Sequence, residues 1–216
     1  MRQKTFAVLG LGRFGTGVAN QLMERGAEVL VVDKNERLIE ENAHRYTQAV
    51  IADLTDTDEI RQLGLGTMDA VIVCMSQSLE ASIMCVMVAK ESGVHRVIAK
   101  AETRRKGEIL KKVGADRIVF PELESGARTA FQLMFHDVVQ FFDLSSDLVI
   151  VEIEPPREWC GKTLYELDLR KKSGINVIAY RKEGKVYDFG SGDMVIGKQE
   201  SLLIVTTKEN FEKLEK

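Results

Sequence analysis

The chain has 216 residues, 44% hydrophobic and 29% charged, with 30 basic against 33 acidic side chains and a formal charge of −3. That is the composition of a globular protein of one large or two modest domains, and the near-balance of charge argues against nucleic acid, which needs a basic face. No apolar run approaches the roughly 20 residues of a membrane span.

Met1-Arg2-Gln3-Lys4 leads into a strand-like run and not into an export signal. Cys74, Cys85 and Cys160 form no C-x-x-C pair, so the expectation is a cytosolic chain with reduced, buried thiols. Short β-rich runs then alternate with helical patterns. Strands are expected at 5–10, 28–33, 48–51, 70–74, 96–100 and 116–120. Helices are expected between them at 13–25, 36–45, 57–63, 79–92 and 105–113. Runs such as Val29-Leu30-Val31-Val32 and Val71-Ile72-Val73 are near-continuously apolar, as strands covered on both faces require. Gly26, Gly64, Gly93 and Gly114 punctuate the helix ends. The pattern predicts an α/β domain with a doubly wound, Rossmann-like parallel sheet. Arg104-Arg105-Lys106 and Arg170-Lys171-Lys172 read as solvated helix faces.

After Pro121 the character changes. A helix to about residue 136 runs into 137–143, and Phe131, Phe135, Phe141 and Phe142 crowd this stretch. Two readings stand: packing against the parent sheet, or docking onto a second subunit. Beyond 147 the βαβ rhythm is lost. Strands are expected at 148–154, 176–180, 185–188, 194–196 and 201–207, with short helices at 163–167 and 209–214 and a hairpin across Glu183-Gly184. About seventy residues of this kind make a small α+β domain that is marginal alone and is expected to pair with a copy of itself. The expected division is 1–136, a crossover at 137–146, and 147–216.

Gly10-Leu11-Gly12-Arg13-Phe14-Gly15 matches G-x-G-x-x-G. It follows the first strand and opens a helix, and Asp33 ends the next strand at the expected offset of about 20 residues. Gly10 permits the turn, Gly12 lets backbone N–H groups approach a pyrophosphate, and Gly15 lets the helix pack on the strand. The helix start offers orphan donors and a positive dipole end. Asp33 accepts ribose hydroxyls on this reading, while Arg13 either adds charge for a triphosphate or is solvated. Further contacts belong at the carboxyl ends of neighbouring strands, which carry Asn35, Ala52-Asp53, Ser76-Gln77 and Lys100. Asp53 is either an adenine-edge contact or a helix cap, and Glu122 complements a helix dipole. His44, His95 and His136 form no catalytic constellation, and no acid–base group for a nicotinamide is evident. The chain therefore reads as a nucleotide-binding protein and not as an enzyme, with an NAD(P)-dependent oxidoreductase as the alternative.

The whole chain resembles the regulatory subunits of Trk/Ktr-type potassium uptake systems, built from RCK (regulator of conductance of potassium) N- and C-domains. Val8–Gly15, V-V-D-K-N at 31–35, V-I-A-D at 50–53, Ala99-Lys100-Ala101 and G-A-D-R-I-V-F-P-E at 114–122 carry the likeness. The resemblance implies a cytoplasmic homo-oligomer, commonly an octameric ring, docked on a membrane potassium transporter. It implies binding of ATP or ADP, with NAD or NADH in some members. The implied nucleotide set is Gly10, Gly12, Arg13, Phe14, Gly15, Asp33, Lys34, Asn35, Ala52, Asp53, Ser76, Lys100 and Glu122. Within it Arg13 meets phosphates, Asp33 the ribose, and Glu122 a divalent or monovalent cation. In some relatives the paired C-domains bind cyclic di-AMP; Arg170 and Ile175-Asn176 lie in the comparable stretch, but Phe189 replaces the usual proline.

Overall fold

The computed structural model describes residues 2–75, 78–135, 138–145, 147–188 and 192–214. The expected contact Ser76, with Gln77, His136 and Phe189, lies outside the described residues. The chain divides into two compact units, 1–124 and 125–216. Among the described residues no helix is long and apolar enough to cross a membrane.

The first unit alternates strand and helix: β1 (Thr5–Leu9), α1 (Arg13–Glu24), β2 (Glu28–Asp33), α2 (Glu36–Asn42), β3 (Gln48–Ile51), α3 (Thr57–Gln62), β4 (Ala70–Val73), α4 (Leu79–Glu91), β5 (Val97–Lys100), α5 (Arg104–Lys112) and β6 (Arg117–Val119). Six parallel strands lie in the order β3-β2-β1-β4-β5-β6. Strand order therefore reverses between β1 and β4, the switch point where ligand crevices form. Strand periodicity sends Ala7, Leu9, Val71 and Val73 into one core with Cys85, Val86 and Ala89 of α4. Val8, Val29, Val31 and Ile72 enter the opposite core with Ala19 of α1 and Ile39 of α2. Both faces are covered, as the apolar runs require.

Short polar residues start the helices. Asn35 Oδ1 accepts from Leu38 N at 3.2 Å, Asp56 Oδ1 from Asp58 N at 2.8 Å, and Ser78 Oγ from Ala81 N at 3.1 Å. Asp53, the alternative cap, caps nothing; that role falls to Asp56. The helix expected over 36–45 is α-helical only to Asn42 and tightens into a 3₁₀ turn at Ala43–Arg45, a common way to finish a helix.

Helix α6 (Pro121–Met134) starts in the first unit and ends in the second. There follow β7 (Val138–Asp143), β8 (Leu148–Ile153), α7 (Leu164–Leu167), α8 (Leu169–Ser173), β9 (Asn176–Lys182), β10 (Lys185–Asp188), β11 (Ser201–Thr207) and α9 (Lys208–Leu214). The sheet is antiparallel in the order β10-β9-β11-β8-β7. Glu183 and Gly184, at φ +49° and +77°, make the expected two-residue hairpin turn.

Three features differ from expectation. The stretch expected as a crossover contains β7, an edge strand pairing Phe141 with Val151; its apolar side chains find a sheet to complete. Residues 194–196 contribute only a single bridge, Val195 to Thr163. Helix α8 has no place in the expected order of elements, although its Arg170, Lys171 and Lys172 are exposed, as a solvated helix face requires.

Phe131, Phe135 and Phe141 do not pack against the parent parallel sheet. They join the core of the second unit, with Phe131 stacked on Phe141 at 3.8 Å and Phe135 edge-on to Phe211 of α9 at 5.2 Å between centroids. Phe142 points outward, 49% exposed. On the sheet face away from this core, the buried Glu152 carboxylate accepts from Arg181 Nε at 2.7 Å and from the Ser201 hydroxyl. The Arg181 hydrogen bond holds its carboxyl below the ordinary glutamate range.

Phe211 is fully buried at the centre of this cluster, so Phe211→Ala is expected to cost about 3–5 kcal/mol. Trp159 is the chain's single tryptophan and is buried in the same core, so its fluorescence reports on the second unit. The urea midpoint read by that fluorescence should fall; an unchanged midpoint would show that the aromatic cluster does not hold the unit together.

Candidate functional site

The switch point creates a cavity of about 300 Å³ lined by Gly10, Gly12, Asp33, Lys34, Asp53 and Ser78, among others. Its shape follows from the first turn. Gly10 sits at φ +97°, where a side chain is strained, and its N–H donates to the Val32 carbonyl at 2.8 Å. The Leu11 N–H donates to Asp33 Oδ2 at 2.8 Å, and the Asn35 N–H to Asp33 Oδ1 at 3.0 Å. One carboxylate thus ties the turn after β1 to the turn after β2.

The two other glycines differ in what surrounds them. A Cβ on Gly15 would meet the Gly10 carbonyl oxygen at 2.0 Å, whereas a Cβ on Gly12 would find no atom within 4 Å. Gly15 is therefore needed for packing, and Gly12 borders open space. The first amide to bond back within α1 is Thr16 N, to the Gly12 carbonyl at 2.9 Å. The amides of Arg13, Phe14 and Gly15 come before it, at the positive end of a 12-residue helix.

Arg13 is exposed, and its guanidinium has no hydrogen-bond partner among the described residues. Lys34 is exposed on the cavity wall. Asp53 Oδ1 accepts from both the N–H and the hydroxyl of Thr55, at 2.9 and 2.8 Å. These bonds, the backbone one first, hold its carboxyl below the ordinary aspartate range. Asn35 spends its side chain on the α2 cap, and Ala52 is buried behind the wall with its N–H on the Asp33 carbonyl at 3.2 Å.

Lys100 and Glu122 are brought together, Nζ to Oε1 at 2.6 Å. The Lys100 ammonium also lies 6.0 Å from the centroid of the half-buried Phe14 ring. The hydrogen bond from Lys100 chiefly holds the Glu122 carboxyl below its ordinary range, with Arg13 adding to the effect.

Sequence reasoning missed Thr55, Cys74, Met75 and Ser78 on the wall. Two had a local signal: D-x-T at 53–55 is an Asx-turn pattern, and Ser78 precedes a helix. Cys74 and Met75 carried none. Burial pushes the Cys74 thiol up to about 12, so it stays protonated and offers no nucleophile at neutral pH. The arrangement provides backbone donors for an anion at one end and a fixed carboxylate acceptor near it, the requirements of a bound nucleotide.

Residues 6–121 match the TrkA-N domain family and residues 148–216 the TrkA-C domain family. Ktr system potassium uptake protein C of Bacillus subtilis (strain 168) is 36% identical over 99% of this chain and 97% of its own length. The chain belongs to the TrkA/Ktr family. A second member, Ktr system potassium uptake protein A of Vibrio alginolyticus, is 35% identical over 92% of this chain and 94% of its own. The family places the chain in potassium transport. Among solved structures, the GsuK RCK domain superposes with a TM-score of 0.67 at 19% identity, covering all of this chain and 47% of that one. The GsuK channel bound to NAD gives 0.65 at 18% identity, with 39% of that chain covered. These two likenesses establish the RCK fold.

The contrast between the glycines is testable. Gly15→Ala should lose on the order of 3 kcal/mol, since the clash is with backbone that cannot rotate away. Gly12→Ala, at φ −63° and ψ 178°, should stay within about 0.5 kcal/mol of the parent. Urea unfolding followed by far-ultraviolet circular dichroism measures both. Equal stabilities would mean that α1 does not pack on the loop as described.

Proposed function

We propose that this chain is the cytosolic regulatory subunit of a potassium uptake system, binding an adenine nucleotide at the β1–β4 switch point and thereby controlling a membrane-embedded partner. The observation that carries the reading is the Asp33-tied glycine loop, whose Gly10 and Gly12 line the switch-point cavity. Full-length similarity to Ktr potassium uptake proteins supplies the transport context.

In this proposal the nucleotide phosphates take the α1 amides, with Arg13 as an added charge for the outer ones. Asp33 takes the ribose hydroxyls. Each of its oxygens already receives one amide and keeps a lone pair for a second donor. Lys34 and Asp53 flank the same cavity. ATP and ADP are the proposed ligands. NAD or NADH is the second candidate, favoured by the NAD-bound GsuK channel of the same fold. The subunit acts as a sensor and not as an enzyme: among the described residues the wall offers no paired acid and base, and its thiol is protonated. Self-association into an even-numbered homo-oligomer, most simply an octameric ring, belongs to the same proposal and rests on the resemblance to the family.

The cation that the family resemblance implies at Glu122 does not fit a single chain. Hard cations take six or so oxygen ligands. Here the one carboxylate is engaged by an ammonium at 2.6 Å, and no group of three or more His, Cys, Asp or Glu side chains that could hold a metal is present among the described residues.

Titration calorimetry with ATP and ADP tests the site. Asp33→Ala should weaken both nucleotides by about 1–3 kcal/mol, because it removes the ribose acceptor and frees the Leu11 amide. Unchanged affinity would remove Asp33 from the site. Saturable NADH oxidation by the parent chain would favour the oxidoreductase reading.

A further inference from the structure

Because the six strands of the first unit run parallel, their starts share one edge of the sheet, opposite the edge that holds the cavity. That edge is basic. In sheet order it carries Arg45 ahead of β3, Arg25 ahead of β2, Arg2 and Lys4 ahead of β1, Arg96 ahead of β5, and Arg117 at the head of β6. All six are exposed, and none has a carboxylate within ion-pair distance among the described residues. Six strands spread them along a row about 24 Å wide. Backbone bonds fix the row: Glu28 N–H donates to the Lys4 carbonyl at 2.9 Å, Asp69 N–H to the Thr5 carbonyl at 2.9 Å, and Val71 N–H to the Arg96 carbonyl at 3.0 Å.

The carboxylates of the same edge are Glu24, Glu28, Asp69 and Asp116, and two of them are engaged within the fold. Asp69 Oδ2 accepts from the Thr5 N–H at 2.8 Å. Asp116 Oδ2 accepts from the Val97 N–H at 2.6 Å and pairs with Lys90 at 3.2 Å. Cations therefore predominate among the free charges here, in a chain whose formal charge is −3. A cation closing a helix complements the helix dipole, which accounts for Arg25 and Arg45. Arg2, Lys4, Arg96 and Arg117 lie in no last helical turn. The edge also lacks apolar anchors. The large exposed hydrophobics described in the first unit are Ile51 at the far end of β3, Met87 within α4 and Leu123 in α6. Protein interfaces are built around a buried apolar or aromatic centre. A row of solvated cations without one fits a surface of diffuse negative charge.

We propose that this edge lies against anionic lipid headgroups at the inner face of the membrane, held there by electrostatics alone. The proposal rests on the reading of the chain as the cytosolic partner of a membrane protein, and it adds a second, lipid-borne attachment. With the basic edge on the bilayer, the cavity on the opposite edge opens away from it and stays accessible to nucleotide.

Sedimentation of the full chain with phosphatidylcholine vesicles, and with vesicles that also contain phosphatidylglycerol, tests this. The chain should bind only the anionic vesicles and should leave them at high salt, where screening is short-ranged. Each cation removed should lower partitioning about fivefold, so Arg96→Gln with Arg117→Gln should lower it roughly twentyfold or more. Arg104→Gln with Arg105→Gln makes the same change of net charge at the start of α5, on the opposite edge, and should leave partitioning unchanged. Circular dichroism and ATP calorimetry on both variants check the fold and the cavity.

Equal binding to the two kinds of vesicle, or equal losses in the two double variants, would overturn the proposal. So would a parent chain that ignores both vesicles; if Arg96→Gln with Arg117→Gln then lowered potassium uptake in cells, the edge would serve an acidic protein surface instead. Vesicle binding by a chain that binds no nucleotide would overturn the nucleotide reading alone.

Discussion

The hydrogen bond from the Leu11 amide to Asp33 sets the geometry on which the first unit's crevice depends. A turn between a strand and a helix exposes backbone donors that must find partners. Asp33 satisfies one from each of two successive turns, using one oxygen for Leu11 and the other for Asn35. The two strand ends are thereby fixed relative to each other before any ligand arrives. The contact of Gly15 with the Gly10 carbonyl adds the second constraint, because α1 can approach the turn only where no Cβ intervenes. Together they fix the start of α1, with Gly12 bordering open space, the kind of preorganisation on which anion binding at a helix start relies.

Such a site needs a rigid frame, and the parallel sheet supplies it. Its central strands β1, β2 and β4 are buried on both faces by two separate cores, so their carboxyl ends cannot shift without disturbing packing on both sides. The second unit solves a different problem. Its sheet has one face in an aromatic and aliphatic core and the other carrying the Glu152–Arg181–Ser201 network. A buried carboxylate on that outer face is tolerated because the arginine and the hydroxyl together satisfy it.

What was legible in the sequence were the features written in neighbouring residues. The glycine fingerprint, the acidic end of β2, the alternation of β1 to β6 and the Glu183-Gly184 hairpin all follow from local steric rules. What was not legible depends on distant partners. Strand β7 reads as a linker until β8 is there to pair with it. Phe131 and Phe135 found their core through Phe211, about eighty positions later. Lys100 and Glu122 each carried a plausible local role, and nothing at either position showed that they meet across 22 residues. Asp53 is intermediate: its Asx turn with Thr55 is local and readable, yet the cap it resembles is made by Asp56 three residues on.

The same division separates what is fixed in the site from what can respond. A ligand shifts an equilibrium only through interactions that differ between two states. Gly10, Gly15 and Asp33 are locked by backbone contacts and so present the same surface to every ligand. The groups able to change partner are the exposed charges: Arg13 without an acceptor among the described residues, Lys34 on the cavity wall, and Glu122 on a helix whose later turns carry Phe131 into the core of the second unit. Glu122 is the one among these charges whose own helix continues into the other unit.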